Sequence, residues 1–218
     1  MVNNNAVAID NGINPSTMRQ TNDAMIRETL INRLQREYAT NSDYRIIPEL
    51  GLWHGAARID VAVVNGILHG FEIKSDRDTL IRLPEQMEAY NSIFDRVTLV
   101  VGSSHLVDVF KRVPEWWGIE TAHVSAGGLV SFNIIRDPRN NPKQDDVSIA
   151  RLLWRHEALE KLESLGKADG IRSKPREVVY RRLAESLELK LLKKYVWDVL
   201  QSPRQGWRSD AQLALSGG

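Results

Sequence analysis

Apolar and polar positions alternate along Arg58-Ile59-Asp60-Val61-Ala62-Val63-Val64, and again along Ile67-Leu68-His69-Gly70-Phe71-Glu72-Ile73-Lys74. A period of two predicts strands, and the Asn65-Gly66 pair between the runs predicts a hairpin. The odd positions Ile59, Val61, Val63, Ile67, Phe71 and Ile73 are apolar, with His69 the only polar one. The even positions carry Asp60, Glu72 and Lys74 beside Ala62, Val64, Leu68 and Gly70. Side chains alternate across a strand, so one face is expected to be core and the other to carry the charges. A plain two-residue loop would pair odd with even and separate Asp60 from Glu72. A three-residue loop, Val64-Asn65-Gly66 with Gly66 left-handed in a bulge, pairs odd with odd. That pairing is the expected one, because it collects the charges on one patch.

The rest of the chain reads as alternating helix and strand. Ile26, Leu30, Leu34 and Tyr38 form the buried stripe of a first helix, and Arg45-Ile46-Ile47-Pro48-Glu49 reads as a first strand limited by Pro48. Leu80, Leu83, Met87, Tyr90 and Phe94 recur at helical spacing, with Pro84 suited to a first turn. Val97 to Val101 is a short apolar run, the pattern of a strand buried on both faces. A short helix over Leu106 to Lys111 follows, and Trp116-Trp117 reads as a packing plug. Ile119 to Val124 and Leu129 to Ile135 flank Ser125-Ala126-Gly127-Gly128 as a second hairpin. Beyond a polar and proline-rich linker at 137–147, Ile149, Leu152, Leu153, Leu159 and Leu162 form one helical stripe ending at Gly166. Ser173 with Pro175 marks another helix start, followed by Val178, Val179, Leu183 and Leu187, then Leu191, Leu192, Tyr195, Val196 and Val199. The expected organisation is a flexible arm (1–20), an α/β core (21–136), the linker, a helical C-terminal region (148–208) and a flexible tail (209–218).

Composition narrows the chemistry. Hydrophobic residues at 42% and charged residues at 26% are ordinary for a globular protein. The chain has no cysteine, which excludes disulfides and thiolate-bound zinc. The five histidines, His54, His69, His105, His123 and His156, show no metal-ligand spacing, and His54 draws interest only because its loop lies between Glu49 and Asp60. No apolar stretch approaches the ~20 residues of a membrane span, and the Asn-rich start has no signal core, so a cytoplasmic location is expected. Net charge is only +1, but residues 1–150 sum to −4 and residues 151–208 to +6. The basic half suits a phosphate backbone, and Arg172, Lys174, Arg176, Arg181 and Arg182 are the candidate phosphate contacts, against a plain solvated helix face.

Two carboxylates brought together repel unless a cation or proton lies between them. Hard oxygen ligands suit Mg²⁺ or Mn²⁺, and a lysine two residues along the strand can stabilise developing negative charge. Asp60, Glu72 and Lys74 therefore suit phosphodiester hydrolysis, although a salt-bridge cluster on a solvated sheet would show the same spacing. Gln86-Met87-Glu88-Ala89-Tyr90 adds a Q-x-x-x-Y on one side of the following helix.

The element order and these residues resemble the PD-(D/E)XK nuclease superfamily, in its RecB-like and Cas4-like branch. The stretch Glu49-Leu50-Gly51, Arg58-Ile59-Asp60, Glu72-Ile73-Lys74-Ser75, Asp78-Thr79-Leu80, Arg82-Leu83 and Gln86 looks closer still to a group of small uncharacterised bacterial and phage proteins of that superfamily. The resemblance implies a restriction-endonuclease-like α-β-β-β-α-β core and Mg²⁺- or Mn²⁺-dependent cleavage of nucleic acid, most simply DNA. It implies Asp60, Glu72 and the Ile73 carbonyl as metal ligands and Lys74 acting on the water and scissile phosphate. Gln86 would orient substrate or lysine, with Arg58 and Tyr90 toward the nucleic acid. Members of the branch carry an upstream His or Glu, for which Glu49 and Glu28 are the candidates, Glu49 the better placed. The rival expectation is a nuclease-like protein that binds nucleic acid or a protein partner without cutting. An oligomer is compatible with either.

Overall fold

A computed structural model describes residues 20–41 and 43–202. The expected tail lies outside them, as does the expected arm apart from Gln20. The described residues form an α/β structure: a mixed sheet of six strands in sequential order with helices on both faces. The strands are β1 (Arg45–Leu52), β2 (Ala57–Val64), β3 (Leu68–Lys74), β4 (Arg96–Gly102), β5 (Gly118–Val124) and β6 (Val130–Arg136). The helices are α1 (Asp23–Glu37), α2 (Leu83–Ile93), α3 (Leu106–Arg112), α4 (Asp146–Ala150), α5 (Arg155–Ser164), α6 (Arg176–Ser186) and α7 (Leu189–Gln201). β3, β4 and β5 run parallel, joined by α2 and α3, and the outer pairs are antiparallel. Pro48 sits in β1, an edge strand, where a missing N–H costs least.

The hairpin keeps the expected parity with a different loop. Val63 pairs with His69 and Val64 with Leu68, so the three-residue loop is Asn65–Ile67 rather than Val64–Gly66. The register moves by two, which leaves the paired positions Val61 to Val64 and Leu68 to Phe71 on their expected faces. Gly66 is left-handed at φ +69°, as the turn requires.

Both faces of the sheet are core, contrary to a core face opposed to a charged one. Ile26, Leu30 and Leu34 of α1 cover Val61, Val63, Phe71 and Ile73. The even positions Ala62, Val64 and Leu68 meet Tyr90, Ile93 and Phe94. Glu72 and Lys74 lie at the end of this second face, beside Gln86 and Tyr90 of α2, while Asp60 is held by Arg27 of α1. Ile59, expected with the odd set, belongs to the α2 side, its Cδ1 filling the space above Gly70. The reason is local: the paired ladder of β2 and β3 reaches only to Val61 and Phe71, and the Asp60 carboxylate accepts the Ile73 N–H.

The helices start and stop on identifiable groups. The Asn22 side chain accepts the Met25 N–H at the start of α1, and Pro84 lies in the first turn of α2. Asp76 accepts from the N–H and Oγ1 of Thr21 and from the N–H and Oγ of Ser104, which fastens the start of α1 to the end of β4. Trp117 is buried, its indole N–H on Asn91, the plug expected of it.

The C-terminal helices share the core of the sheet. Ile149, Leu162, Leu183, Val196 and Leu200 belong to one cluster with Leu50, Leu68 and Tyr90. The segment expected as a linker is strapped over the end of α2: the Asn141 side chain donates to the carbonyls of Asn91 and Phe94, and Gln144 to that of Ile93. The stripe expected as one helix is two, α4 and α5, because Trp154 is extended and its N–H is taken by the Glu157 carboxylate. Ser173 caps nothing, since α6 begins after Pro175 without a side-chain cap. No described helix is long and apolar enough to cross a membrane.

His69 gives the fold a pH dependence. Its ring stacks on Phe71 at 4.2 Å and bonds Thr98 Oγ1 at 2.9 Å. Burial, with help from Arg96 and Arg33, pulls its pKa down from 6.5 to about 3. The folded state therefore keeps His69 neutral while the unfolded chain takes a proton below 6.5. Stability from this group is present above that pH and falls, by up to about 1.4 kcal/mol per pH unit, as the solution is acidified toward 3. Denaturant unfolding of wild type and His69→Gln at successive pH values should show the shallower acid slope in the variant. Parallel slopes would remove His69 from the account.

Candidate active site

Asp60 and Glu72 stand at the same end of antiparallel β2 and β3, on the wall of a cleft of about 890 Å³. Glu49, Arg58, Ile73, Lys74 and Gln86 line the same cleft, together with Asp23, Arg27 and the Trp53–Gly55 turn. The structure thus brings together Asp60, Glu72, Ile73, Lys74, Gln86, Glu49 and Arg58 from the sequence-expected set.

Glu72 is 1% exposed and fully engaged. Its Oε1 accepts from Lys74 Nζ at 2.5 Å and Gln86 Nε2 at 2.7 Å, and its Oε2 accepts from the Tyr90 hydroxyl at 2.6 Å. Burial first, and the nearby Asp60 charge second, push its pKa up to about 7, against the pull of Lys74 and Tyr90. The carboxylates repel through a poorly solvated wall, the condition that a cation would relieve. Gln86 Oε1 is buried with no partner among the described residues.

Asp60 points to the other side. Its Oδ2 accepts the Ile73 N–H at 2.7 Å, and its Oδ1 accepts from Arg27 Nη2 at 2.7 Å. The same guanidinium reaches Asp23 Oδ2 at 2.8 Å and Glu49 Oε1 at 3.1 Å. Glu49 also stands 3.5 Å from Arg58, on a backbone with φ +52° that a glutamate seldom adopts. Burial works against the charge on Arg27, but Asp60, Asp23 and Glu49 together raise its pKa.

One expectation changes. Tyr90, expected at the nucleic acid, is 0% exposed, and its hydroxyl faces Glu72 and the Arg58 carbonyl. Burial, then the Glu72 charge, raises the pKa of that hydroxyl, so it stays a donor. Glu28 is exposed and does not line the cleft, whereas Glu49 does. Arg172, Lys174, Arg176, Arg181 and Arg182 are exposed, and none lines the cleft. Arg172 is paired with Glu163 and Asp169. Helix α6 supplies no cleft-lining residue, but its Glu177 bonds the lining residue His54 at 2.9 Å.

Sequence reading missed Arg27 and Asp23. The signal was present: Arg27 stands one turn after Asp23, next to Ile26 and one turn before Leu30 of the stripe, so it borders the buried face of α1.

The family described as Bacteriophage P4 protein cII matches residues 16–213. The chain belongs to that family. Protein cII of Enterobacteria phage P4 is 39% identical over 98 residues, 45% of this chain. The match spans 37% of that protein's own length. A solved structure, a protein of unknown function from Silicibacter pomeroyi, is 18% identical with a TM-score of 0.39, over 69% of this chain and 94% of that one.

Proposed function

We propose that the cleft is the active site of a divalent-metal-dependent nuclease with a restriction-endonuclease-like core, hydrolysing phosphodiester bonds in DNA, in the cytoplasm of the host cell. The observation that carries the reading is the convergence of Asp60, Glu72, Lys74 and Gln86 on one cleft from three separate elements.

The donors present fit a hard cation. Asp60 and Glu72 are oxygen ligands on adjoining strands, and Mg²⁺ takes one or two carboxylates and fills its shell with water and phosphate oxygen. Among the described residues no group of three or more His, Cys, Asp or Glu is spaced to hold a metal by itself. Asp60, Glu72 and the Ile73 carbonyl would hold the ion. When bound, it would polarise a phosphoryl oxygen and lower the pKa of a water.

The protein's own groups do the positioning. Gln86 and Tyr90 fix the Glu72 carboxylate from both sides. Lys74 places an ammonium where negative charge develops on the phosphate. Arg58, half exposed on the cleft rim, is the substrate-facing cation. The exposed Lys174, Arg176, Arg181 and Arg182 would continue the path for a phosphate backbone along α6, beside the His54 wall.

One observation favours binding without cutting: every carboxylate oxygen of Asp60 and Glu72 is already engaged by a protein donor. The test is incubation of the purified chain with single-stranded, duplex and branched DNA in Mg²⁺, Mn²⁺ or chelator. Cleavage of at least one form that chelator abolishes is expected. DNA binding without cleavage of any form would select the other reading.

A further inference from the structure

Arg27 is one of the cations that line the cleft. Its two terminal nitrogens span Asp23, Glu49 and Asp60 at 2.7 to 3.1 Å. Its Nε is buried with no hydrogen-bond partner among the described residues, so the group is held by charge and not by a completed set of bonds. The lining has seven carboxylates against four cationic side chains, Arg27 included. Without Arg27, Asp60 and Asp23 would lose their ion-pair partner and Glu49 would keep only Arg58, at 3.5 Å.

We propose that Arg27 is the resident counter-ion of the metal-free cleft and competes with the divalent metal for Asp60. This inference rests on the metal-dependent reading of the site. Asp60 has two oxygens, and one is committed to the Ile73 N–H. A metal therefore has to share or take the oxygen that Arg27 holds, and two cations on one carboxylate oxygen repel. Metal entry then displaces the guanidinium. Released from Asp60, it stays beside the cleft on Asp23 and Glu49, where it can meet an anionic substrate. A merely structural arginine would support the fold equally with and without metal, and its removal would leave metal affinity unchanged.

The experiment is calorimetric titration of the full chain with Mn²⁺ alone, with thermal unfolding in chelator and in Mn²⁺. Arg27→Gln is expected to bind Mn²⁺ about ten-fold more tightly than wild type. It is also expected to unfold at lower temperature in chelator and to gain more from Mn²⁺. Arg27→Lys keeps a charge but cannot span three carboxylates, so its affinity should fall between the two. It serves as the reporter if Arg27→Gln does not fold. Equal or weaker Mn²⁺ binding in the variant, with wild type binding measurably, overturns the proposal and leaves the metal site standing. Binding by Arg27→Gln alone supports it. No binding by either protein defeats the metal reading and this inference with it.

Discussion

Lys74→Met is expected to slow DNA cleavage on the order of a thousand-fold, about 4 kcal/mol of transition-state stabilisation, while the fold survives. The methionine keeps the length and packing of the lysine stem but removes the ammonium beside Glu72. The fold should tolerate this because Glu72, with a pKa already pushed up to about 7, can take a proton once its partner is gone. The neutral carboxyl would still be held by Gln86 and Tyr90. Asp60→Asn should cause a similar loss for a different reason. Its amide oxygen can still accept the Ile73 N–H, which preserves the strand end, but it no longer offers a charged ligand. Single-turnover rates in Mn²⁺, with urea midpoints for the same samples, check both. A Lys74→Met protein that cuts at the wild-type rate would remove Lys74 from the chemistry.

Gly102→Ala is expected to destabilise the fold by about 3 kcal/mol, the upper range for overpacking. Backbone strain is not the cause, since φ is −63° there, a value open to any residue. The cause is space: an added Cβ would lie 2.3 Å from Asp76 Oδ1 and 2.6 Å from the Asp76 backbone nitrogen. Neither can retreat cheaply, because Asp76 is tied to Thr21 and Ser104 through five hydrogen bonds, one of them from its own backbone N–H. Through Thr21 the damage reaches the start of α1, the helix that carries Asp23 and Arg27 to the cleft. Gly128→Ala is the control. There φ is +82° but nothing lies within 4 Å, so only the left-handed strain of about 1 kcal/mol is expected. Urea unfolding of the two variants separates crowding from strain, and equal midpoints would contradict the assignment.

How much was legible in the sequence follows from the range of each interaction. The β2–β3 hairpin was legible because parity is local: Asn65-Gly66 and the alternation of Val61 to Ile73 fix which side chains share a face. The loop boundary was not, since loops shifted by two residues give the same faces. The break in alternation at Asp60 was hidden too, because it depends on a side chain replacing a backbone acceptor across the pair. The cleft was legible as Asp60, Glu72, Lys74 and Gln86, which lie within one supersecondary unit. The place of Arg27 at the border of the α1 stripe was readable, but its reach to Asp60 across 33 positions of chain was not. Tyr90 was misassigned for a related reason: the Q-x-x-x-Y spacing fixes a common helix side, and only the packing of Phe94 and Trp117 around it decides that the side is buried.

The central claim, that this cleft cuts DNA with a divalent metal, is tested most directly by end-labelled DNA cleavage with wild type and Asp60→Asn purified side by side. The expected result is cleavage by wild type in Mn²⁺, none in chelator, and none above background by Asp60→Asn. Equal cleavage by the two proteins, or no cleavage by a wild type that binds Mn²⁺, would contradict it.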